Sequence, residues 1–357
     1  MIKVLVVEDS PVALELLKHI LSSDPEITVV GTATNGLEAV EFVQRERPDV
    51  VTMDIIMPKM DGFEATRQIM GTCPVPIVIV SASLVREEVE KTWRAVEAGA
   101  VAVLEKPRYV GLGRTTEEGE RLVQTVKLMS QVKVVRRWNK ASSAVPAPKT
   151  SLPSPRPIAK PDRQIVPVSE QKIKLVAIGA STGGPPVLQQ IFSSLPLSFP
   201  APILLVQHIS PGFTHGFVDW LNRTATLQAR LADDGERIIP GNIYVAPDGH
   251  QMKVDAGGRI ILTTEEAENG IRPSISYLFR SVAHAFGAKS MGILLTGMGR
   301  DGADELKTMR DKGALTIAQD KESSIVYGMP MEAVRLGAAQ YSLPPDKIID
   351  MLMKISS

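Results

Sequence analysis

Cysteine is almost missing from this chain: Cys73 stands alone among 357 residues, so no internal disulfide can form. Also missing is any stretch approaching the roughly 18 apolar residues that a membrane-spanning helix needs. Neither sign of charge is in excess, because 40 Lys and Arg face 40 Asp and Glu. No helix-turn-helix pattern, basic face or aromatic stripe is present to hold nucleic acid. The opening Met1-Ile2-Lys3-Val4-Leu5-Val6-Val7 runs straight into Glu8-Asp9. Its apolar part is too short for a signal peptide and reads as a first strand. A cytoplasmic, soluble protein that is neither exported nor inserted in a membrane is expected.

What the chain does have is hydrophobic material, 44% of its residues, enough for two ordinary cores. Its charge is unevenly spread. Residues 1–125 carry 13 basic and 20 acidic side chains, residues 126–172 carry 10 and 2, and residues 173–357 carry 17 and 18. The middle segment is crowded with Pro146, Pro148, Pro153, Pro155, Pro157, Pro161 and Pro167, and has few large apolar residues after Trp138. Such a composition cannot bury enough surface to offset its ordering entropy, and its prolines favour an extended, semi-stiff spacer. The expected organisation is therefore a domain over 1–125, a helix end and basic Pro-rich linker over 126–172 (the linker proper roughly 140–171), and a domain over 173–357.

Both flanking segments alternate short β-rich apolar runs with amphipathic stretches, which indicates α/β domains with parallel sheets covered by helices. In the first, strands are expected at Lys3–Val7, Ile27–Gly31, Asp49–Asp54, Pro76–Ser81 and Val101–Glu105. In the second, the clearest are Lys174–Gly179, Pro202–Gln207, Ile243–Ala246 and Met291–Thr296, with a hairpin formed by Gln251–Val254 and Arg259–Leu262. A doubly wound, mostly parallel sheet plus a β-hairpin is expected there.

Functional groups of an open parallel sheet gather at the carboxyl ends of its strands. In the first domain Glu8, Asp9, Asp54, Ser81 and Lys106 all fall at such ends. Three carboxylates converging on one edge repel one another unless a hard cation neutralises them, and Mg²⁺ suits an all-oxygen set. Lys106 and the Ser81 hydroxyl are then suited to phosphate oxygens. The alternative for Glu8, Asp9 and Asp61 is a role as helix caps or turn residues.

With Asp54-Ile55-Ile56-Met57-Pro58-Lys59-Met60-Asp61-Gly62, Ser81-Ala82 and Lys106-Pro107, this segment resembles the receiver domain of bacterial response regulators. The resemblance implies a flavodoxin-like sheet of order 2-1-3-4-5 and a histidine kinase as phosphodonor. Asp54 would accept the phosphoryl group. Glu8, Asp9 and Asp54, with the Ile56 carbonyl, would hold Mg²⁺, and Lys106 would contact the acyl phosphate across a cis Lys106–Pro107 bond. Val103 departs from the pattern, which commonly has Tyr or Phe three residues before the lysine.

In the second domain the strand ending near Gly179 leads into Ala180-Ser181-Thr182-Gly183-Gly184 and a helix over Pro185–Ser194. Gly-x-Ser-x-Gly between strand and helix can expose a nucleophilic serine, or it can cradle a phosphate at a helix N-terminus. A serine needs a neighbouring base. His208 closes the apolar strand on the same sheet edge and leads the five histidines. His19 and His284 read as helix residues, and His215 and His250 are weaker candidates for the base and better ones for substrate contact. For the carboxylate that orients the imidazole, Asp301 sits at a glycine-bounded strand end. It could instead cap the helix beginning near Ala303, and Asp304 and Asp320 are the alternatives. The glycines around it let main-chain N–H groups, such as that of Met298, approach an oxyanion.

Gly-Ala-Ser-Thr-Gly-Gly, Val-Gln-His, Tyr-Val-Ala-Pro, Arg272-Pro273-Ser274, Thr-Gly-Met-Gly-x-Asp-Gly and Val326-Tyr327-Gly328-Met329-Pro330 resemble the catalytic domain of the chemotaxis protein-glutamate methylesterase family (CheB). That resemblance implies a Ser181–His208–Asp301 triad, main-chain oxyanion donors at Thr182 and Met298, methylated chemoreceptors as substrates, deamidation as a second activity, and no metal in this domain. It also implies a receiver that docks over the cleft until Asp54 is phosphorylated. Ser276, where many relatives carry Asp, is expected to affect only the cleft surface. A monomer is expected. The alternative from another class is a response regulator whose second domain is a non-catalytic binding module.

Overall fold

The computed structural model describes residues 1–82, 86–107, 117–132, 134, 172–268 and 270–355. The linker expected over 140–171 lies outside them. The first domain runs β1 (Ile2–Val7), α1 (Pro11–Ser22), β2 (Ile27–Ala33), α2 (Gly36–Glu46), β3 (Val50–Met53), α3 (Gly62–Thr72), β4 (Ile77–Ser81), α4 (Arg86–Ala98), β5 (Ala102–Glu105) and α5 (Glu117–Met129). The strands pair in parallel in the order β2-β1-β3-β4-β5, as the receiver resemblance implied. The residues of β3 and β4 are buried throughout, as a parallel sheet covered on both faces requires. Helices α2 and α3 pack on one face and α1 and α5 on the other. Asp61 is indeed a cap, its carboxylate accepting the Glu64 N–H at the start of α3 at 2.9 Å.

The second domain runs β6 (Leu175–Ala180), α6 (Gly184–Ser194), β7 (Ile203–Gln207), α7 (Thr214–Thr224), β8 (Gln228–Leu231), β9 (Asn242–Val245), β10 (Gln251–Val254), β11 (Ile260–Thr263), α8 (Ile275–Ala285), β12 (Ser290–Leu294), α9 (Ala303–Asp311), β13 (Leu315–Gln319), α10 (Met329–Arg335), β14 (Tyr341–Leu343) and α11 (Pro345–Met353). Seven strands form one parallel sheet in the order β14-β13-β12-β6-β7-β9-β8, and β10 and β11 form the separate antiparallel hairpin. Strands β6, β7 and β12 are buried along their whole length. Helices α6, α7 and α11 cover one face and α8, α9 and α10 the other. The order reverses between β6 and β12, which makes the carboxyl ends of these two strands the switch point of the sheet.

One correction concerns the backbone. Among the described residues the cis peptide is Arg272–Pro273, and Lys106–Pro107 is not one; the trans form is intrinsically preferred even before proline. No helix among the described residues is long and apolar enough to cross a membrane.

The two domains share a seam. Val89, Trp93 and Val96 of α4 belong to the same buried cluster as Phe213, Phe217 and Trp220 in and around α7. The Trp93 ring lies 5.1 Å from Phe217 and 5.6 Å from Trp220, and its indole N–H donates to the Phe213 carbonyl at 3.3 Å. Arg223 pairs with Glu90 at 2.9 Å, and the Glu105 N–H donates to Ser210 Oγ at 3.3 Å. Farther along, Val326 with Ile325 packs into the first domain's α1/α5 cluster. Val103, where receivers commonly carry Tyr or Phe, packs between the first domain's core and the seam cluster.

Candidate active site

Neighbouring parallel strands place Ser181 and His208 side by side at one sheet edge. The register pairs Ala180 with Gln207, so Ser181 and His208 are the next residues beyond each strand. The His208 N–H donates to the Ala180 carbonyl at 2.9 Å and the Ser181 N–H to the Thr296 carbonyl at 3.0 Å. A Cβ on Gly297 would stand 2.6 Å from Ser181 Cβ, so only glycine lets the loop after β12 come so close to Ser181. Ser181 retains 9% of its surface.

His208 Nε2 lies 2.9 Å from Asp301 Oδ2. Asp301 does not cap α9, whose N-cap is Gly302. Its carboxylate instead receives the first turn of α8: Oδ2 accepts the Ile275 N–H at 2.7 Å, and Oδ1 accepts Ser276 N–H at 3.0 Å and Ser274 Oγ–H at 2.9 Å. Burial, the largest influence, pushes the Asp301 pKa up. The hydrogen bond and charge of His208, with the Ser276 and Ile275 donors, more than offset it and hold the group at about 2. An ionised carboxylate can only accept, so Nε2 must carry the proton, and Nδ1 keeps its lone pair free.

Since the Asp301 pKa is lowered in the folded state, its contribution to stability is present above about pH 4 and lost as pH falls through about 2. It amounts to about 2 kcal/mol. The gap in unfolding free energy between wild type and Asp301→Asn is expected to shrink over that window in denaturant melts. A constant gap would contradict the carboxylate's pairing.

The other histidines lie elsewhere. His284 Nδ1 bonds to the Arg280 carbonyl within α8 at 2.7 Å, and His250 Nδ1 to the Asp248 carbonyl at 2.9 Å. His19 is exposed in the last turn of α1, and His215 is exposed on α7. Of the alternative carboxylates, Asp304 pairs with Arg300 and Asp320 accepts from Ser323. Thr182 and Met298 flank Ser181 on the loops after β6 and β12. Neither N–H donates to a protein acceptor among the described residues.

Ser276 requires a correction. It is buried, its N–H cradles Asp301 and its Oγ accepts the Gly302 N–H at 2.9 Å, so it belongs to the support of the carboxylate and not to the cleft surface. The first turn of α8 packs directly on Asp301, which no spacing in the sequence announces. Ser274 was noted as part of Arg272-Pro273-Ser274 but given no role. It caps α8 by accepting from Tyr277 N–H while giving its own proton to Asp301, and its place just before an amphipathic helix was the available signal.

At the first domain's strand ends, carboxylate oxygens of Glu8, Asp9 and Asp54 lie within 4.8 Å of one another. Lys106 Nζ stands 2.9 Å from both Glu8 Oε2 and Asp54 Oδ2. One ammonium against three carboxylates leaves an excess of negative charge in a largely buried site. Burial, followed by the Glu8 charge, raises the Asp54 pKa to about 6 against the pull of Lys106, and burial raises that of Glu8. An all-oxygen cluster short of positive charge fits a hard divalent cation such as Mg²⁺. Ser81 is buried at the end of β4, with Lys106 N–H donating to its carbonyl at 3.0 Å. Ile56 lies two residues beyond Asp54 in the loop after β3.

The family model described as CheB methylesterase matches residues 176–352, and that described as response regulator receiver domain matches residues 4–111. A Syntrophus aciditrophicus protein named protein-glutamate methylesterase/protein-glutamine glutaminase 1 is 55% identical over 356 residues, covering 100% of this chain and 99% of its own length. A Nitrosospira multiformis protein of the same description is 52% identical over 357 residues, covering 99% and 97%. Among solved structures, the Thermotoga maritima CheB methylesterase catalytic domain aligns with a TM-score of 0.50 at 38% identity, over 51% of this chain and 98% of that one.

Proposed function

The chain belongs to the CheB family of receiver-linked protein-glutamate methylesterases/protein-glutamine glutaminases, and from that membership we propose that it hydrolyses glutamyl methyl esters on chemoreceptors and deamidates specific receptor glutamines. The observation that carries this reading is the 2.9 Å bond from His208 to a fully cradled Asp301, on the strand end beside Ser181.

Ser181 Oγ attacks the γ-carbonyl carbon while His208 Nδ1 takes its proton, and Asp301 stabilises the resulting imidazolium. The negative charge that develops on the carbonyl oxygen is met by the free N–H groups of Thr182 and Met298. His208 returns the proton to the methoxy oxygen, methanol departs, and a glutamyl ester remains on Ser181. Water that gives a proton to His208 then attacks the acyl carbon, the bond to Ser181 Oγ breaks, and His208 returns the proton to Oγ as glutamate is freed. A primary amide follows the same course with ammonia as leaving group.

Control rests with the first domain. Asp54 accepts a phosphoryl group from a histidine kinase, held by Lys106 and the Ser81 hydroxyl. Mg²⁺ held by Glu8, Asp9, Asp54 and the Ile56 carbonyl would supply the charge that neutralises the phosphate oxygens. Before phosphorylation, the receiver leans on the loop after His208, through Ser210 and Phe213, and on the Ile325–Val326 loop beside the oxyanion turn. Phosphorylation draws Lys106 onto the new oxygens and disturbs its neighbour Glu105, which loosens the seam.

Methanol release from methylated receptor membranes tests both parts. A small acyl-phosphate donor with Mg²⁺ is expected to accelerate wild type severalfold and to leave Asp54→Asn at its basal rate. Equal acceleration of the two proteins would remove Asp54 from its role. Absence of any Ser181-dependent methanol would overturn the esterase reading.

A further inference from the structure

In Val206-Gln207-His208 the histidine is the base, but the glutamine has no part in the chemistry described above. Gln207 closes β7 and is 6% exposed. Its Nε2 lies 2.9 Å from the Ser181 carbonyl oxygen and 2.9 Å from the His208 carbonyl oxygen. Carbonyls only accept, so the NH₂ end of the amide must face them and Oε1 must point away. Oε1 is buried with no hydrogen-bond partner among the described residues. It lies over the first residue of α6, where a Cβ on Gly184 would stand 2.3 Å from it. The side chain forgoes a bond at one end while making two at the other, and α6 begins with a glycine where that oxygen sits.

We infer that Gln207 is a positioning residue, whose single planar amide holds the peptide planes of the nucleophile and the base in a fixed relation. The inference rests on the roles given above to Ser181 and His208. The β7 ladder ends at Gln207, so His208 lies beyond it, tied back through its N–H to Ala180 at 2.9 Å. Its carbonyl side is held by the Gln207 amide. The Ser181 carbonyl is shared between that amide and the Gly184 N–H at 2.8 Å. Removing the amide releases both planes together, and misplacement by about 1 Å between reacting groups costs about 10²-fold in rate. A residue that merely filled space could be exchanged for methionine, of similar length, with no effect on turnover.

The test measures kcat and KM for methanol release from methylated receptor membranes, alongside thermal melting, on the full chain. Wild type and Ser181→Ala are the references, and the variants are Gln207→Met, Gln207→Glu and Gly184→Ala. Gln207→Met is expected to lower kcat by about 10- to 100-fold with KM changed less than about twofold, the pattern of lost transition-state geometry rather than lost binding. Gln207→Glu, whose buried acid form can donate one of the two bonds, is expected to fall between it and wild type. Gly184→Ala, which displaces Oε1, is expected to show the same split between kcat and KM. Folded variants with wild-type kcat, or a KM that rises in step with the loss, overturn the inference. So does failure of all three to fold, which would assign Gln207 to stability alone. A wild type without Ser181-dependent methanol release overturns the esterase reading, and this inference with it.

Discussion

Replacing Ser181 by Ala is expected to lower methanol release by about 10⁶-fold, and replacing Asp301 by Asn by about 10⁴-fold, both read on methylated receptor membranes. The first change removes the attacking oxygen. The second leaves the shape intact but inverts the hydrogen bond to His208, because an amide NH₂ facing Nε2 forces the proton onto Nδ1, the atom that must be bare to receive the serine proton. It also weakens the grip of three other donors, the N–H groups of Ile275 and Ser276 and the hydroxyl of Ser274, which can no longer all bond to the same side chain. The exposed Asp304→Asn serves as the control and should leave the rate unchanged. If Asp301→Asn stayed within about tenfold of wild type, the carboxylate would not be orienting the base.

The second large effect is expected at the seam. Trp93 is buried against Phe217 and Trp220, and its N–H is bonded to Phe213. Buried aromatic anchors of this kind commonly carry 2 kcal/mol or more, which corresponds to about 30-fold in a docking equilibrium. The basal rate of unphosphorylated Trp93→Ala is therefore expected to rise about tenfold or more, towards that of a chain lacking residues 1–140. Gly216 offers the same test from the opposite side. A Cβ there would stand 2.1 Å from Val89 Cγ1 and 2.9 Å from Trp93 Cδ1. Alanine nevertheless favours the interior of α7 by up to about 1 kcal/mol. Gly216→Ala should thus leave the catalytic domain at least as stable while raising the unphosphorylated rate. Unchanged basal rates in both variants and in the truncated chain would show that the receiver does not restrain the esterase.

Much of this layout could be read from residue order, because apolar runs mark central strands and reactive groups follow their ends. Glu8, Asp54 and Lys106 converge as their strand ends implied, His208 meets Asp301, and Ser181 stands at the adjoining strand end. Edge strands were less visible. Strand β14 is three residues long and nowhere fully buried, and β8 is buried at one position only, so neither carries the pattern of a core strand. Strand β13 is apolar but short, and its Leu315-Thr-Ile-Ala-Gln reads equally well as the end of a helix. The supports of the triad were hidden for another reason. Ser274 and Ser276 reach Asp301, and Gln207 reaches Ser181, across 25 or more positions of sequence, through contacts that exist only once the elements have packed. Asp301 was weighed as the cap of its own following helix, yet it serves the start of α8, more than 20 residues earlier in the chain.

The ring stack at the seam also makes the chain its own optical gauge. Two of its three tryptophans, Trp93 and Trp220, lie 5.6 Å apart with their planes inclined by 26°, one in each domain. A receiver lifting away would part the indoles and expose Trp93 to water, which would be read as emission shifted to longer wavelength. The state of the switch can then be followed in solution without a dye, on the same sample whose methanol output is being measured.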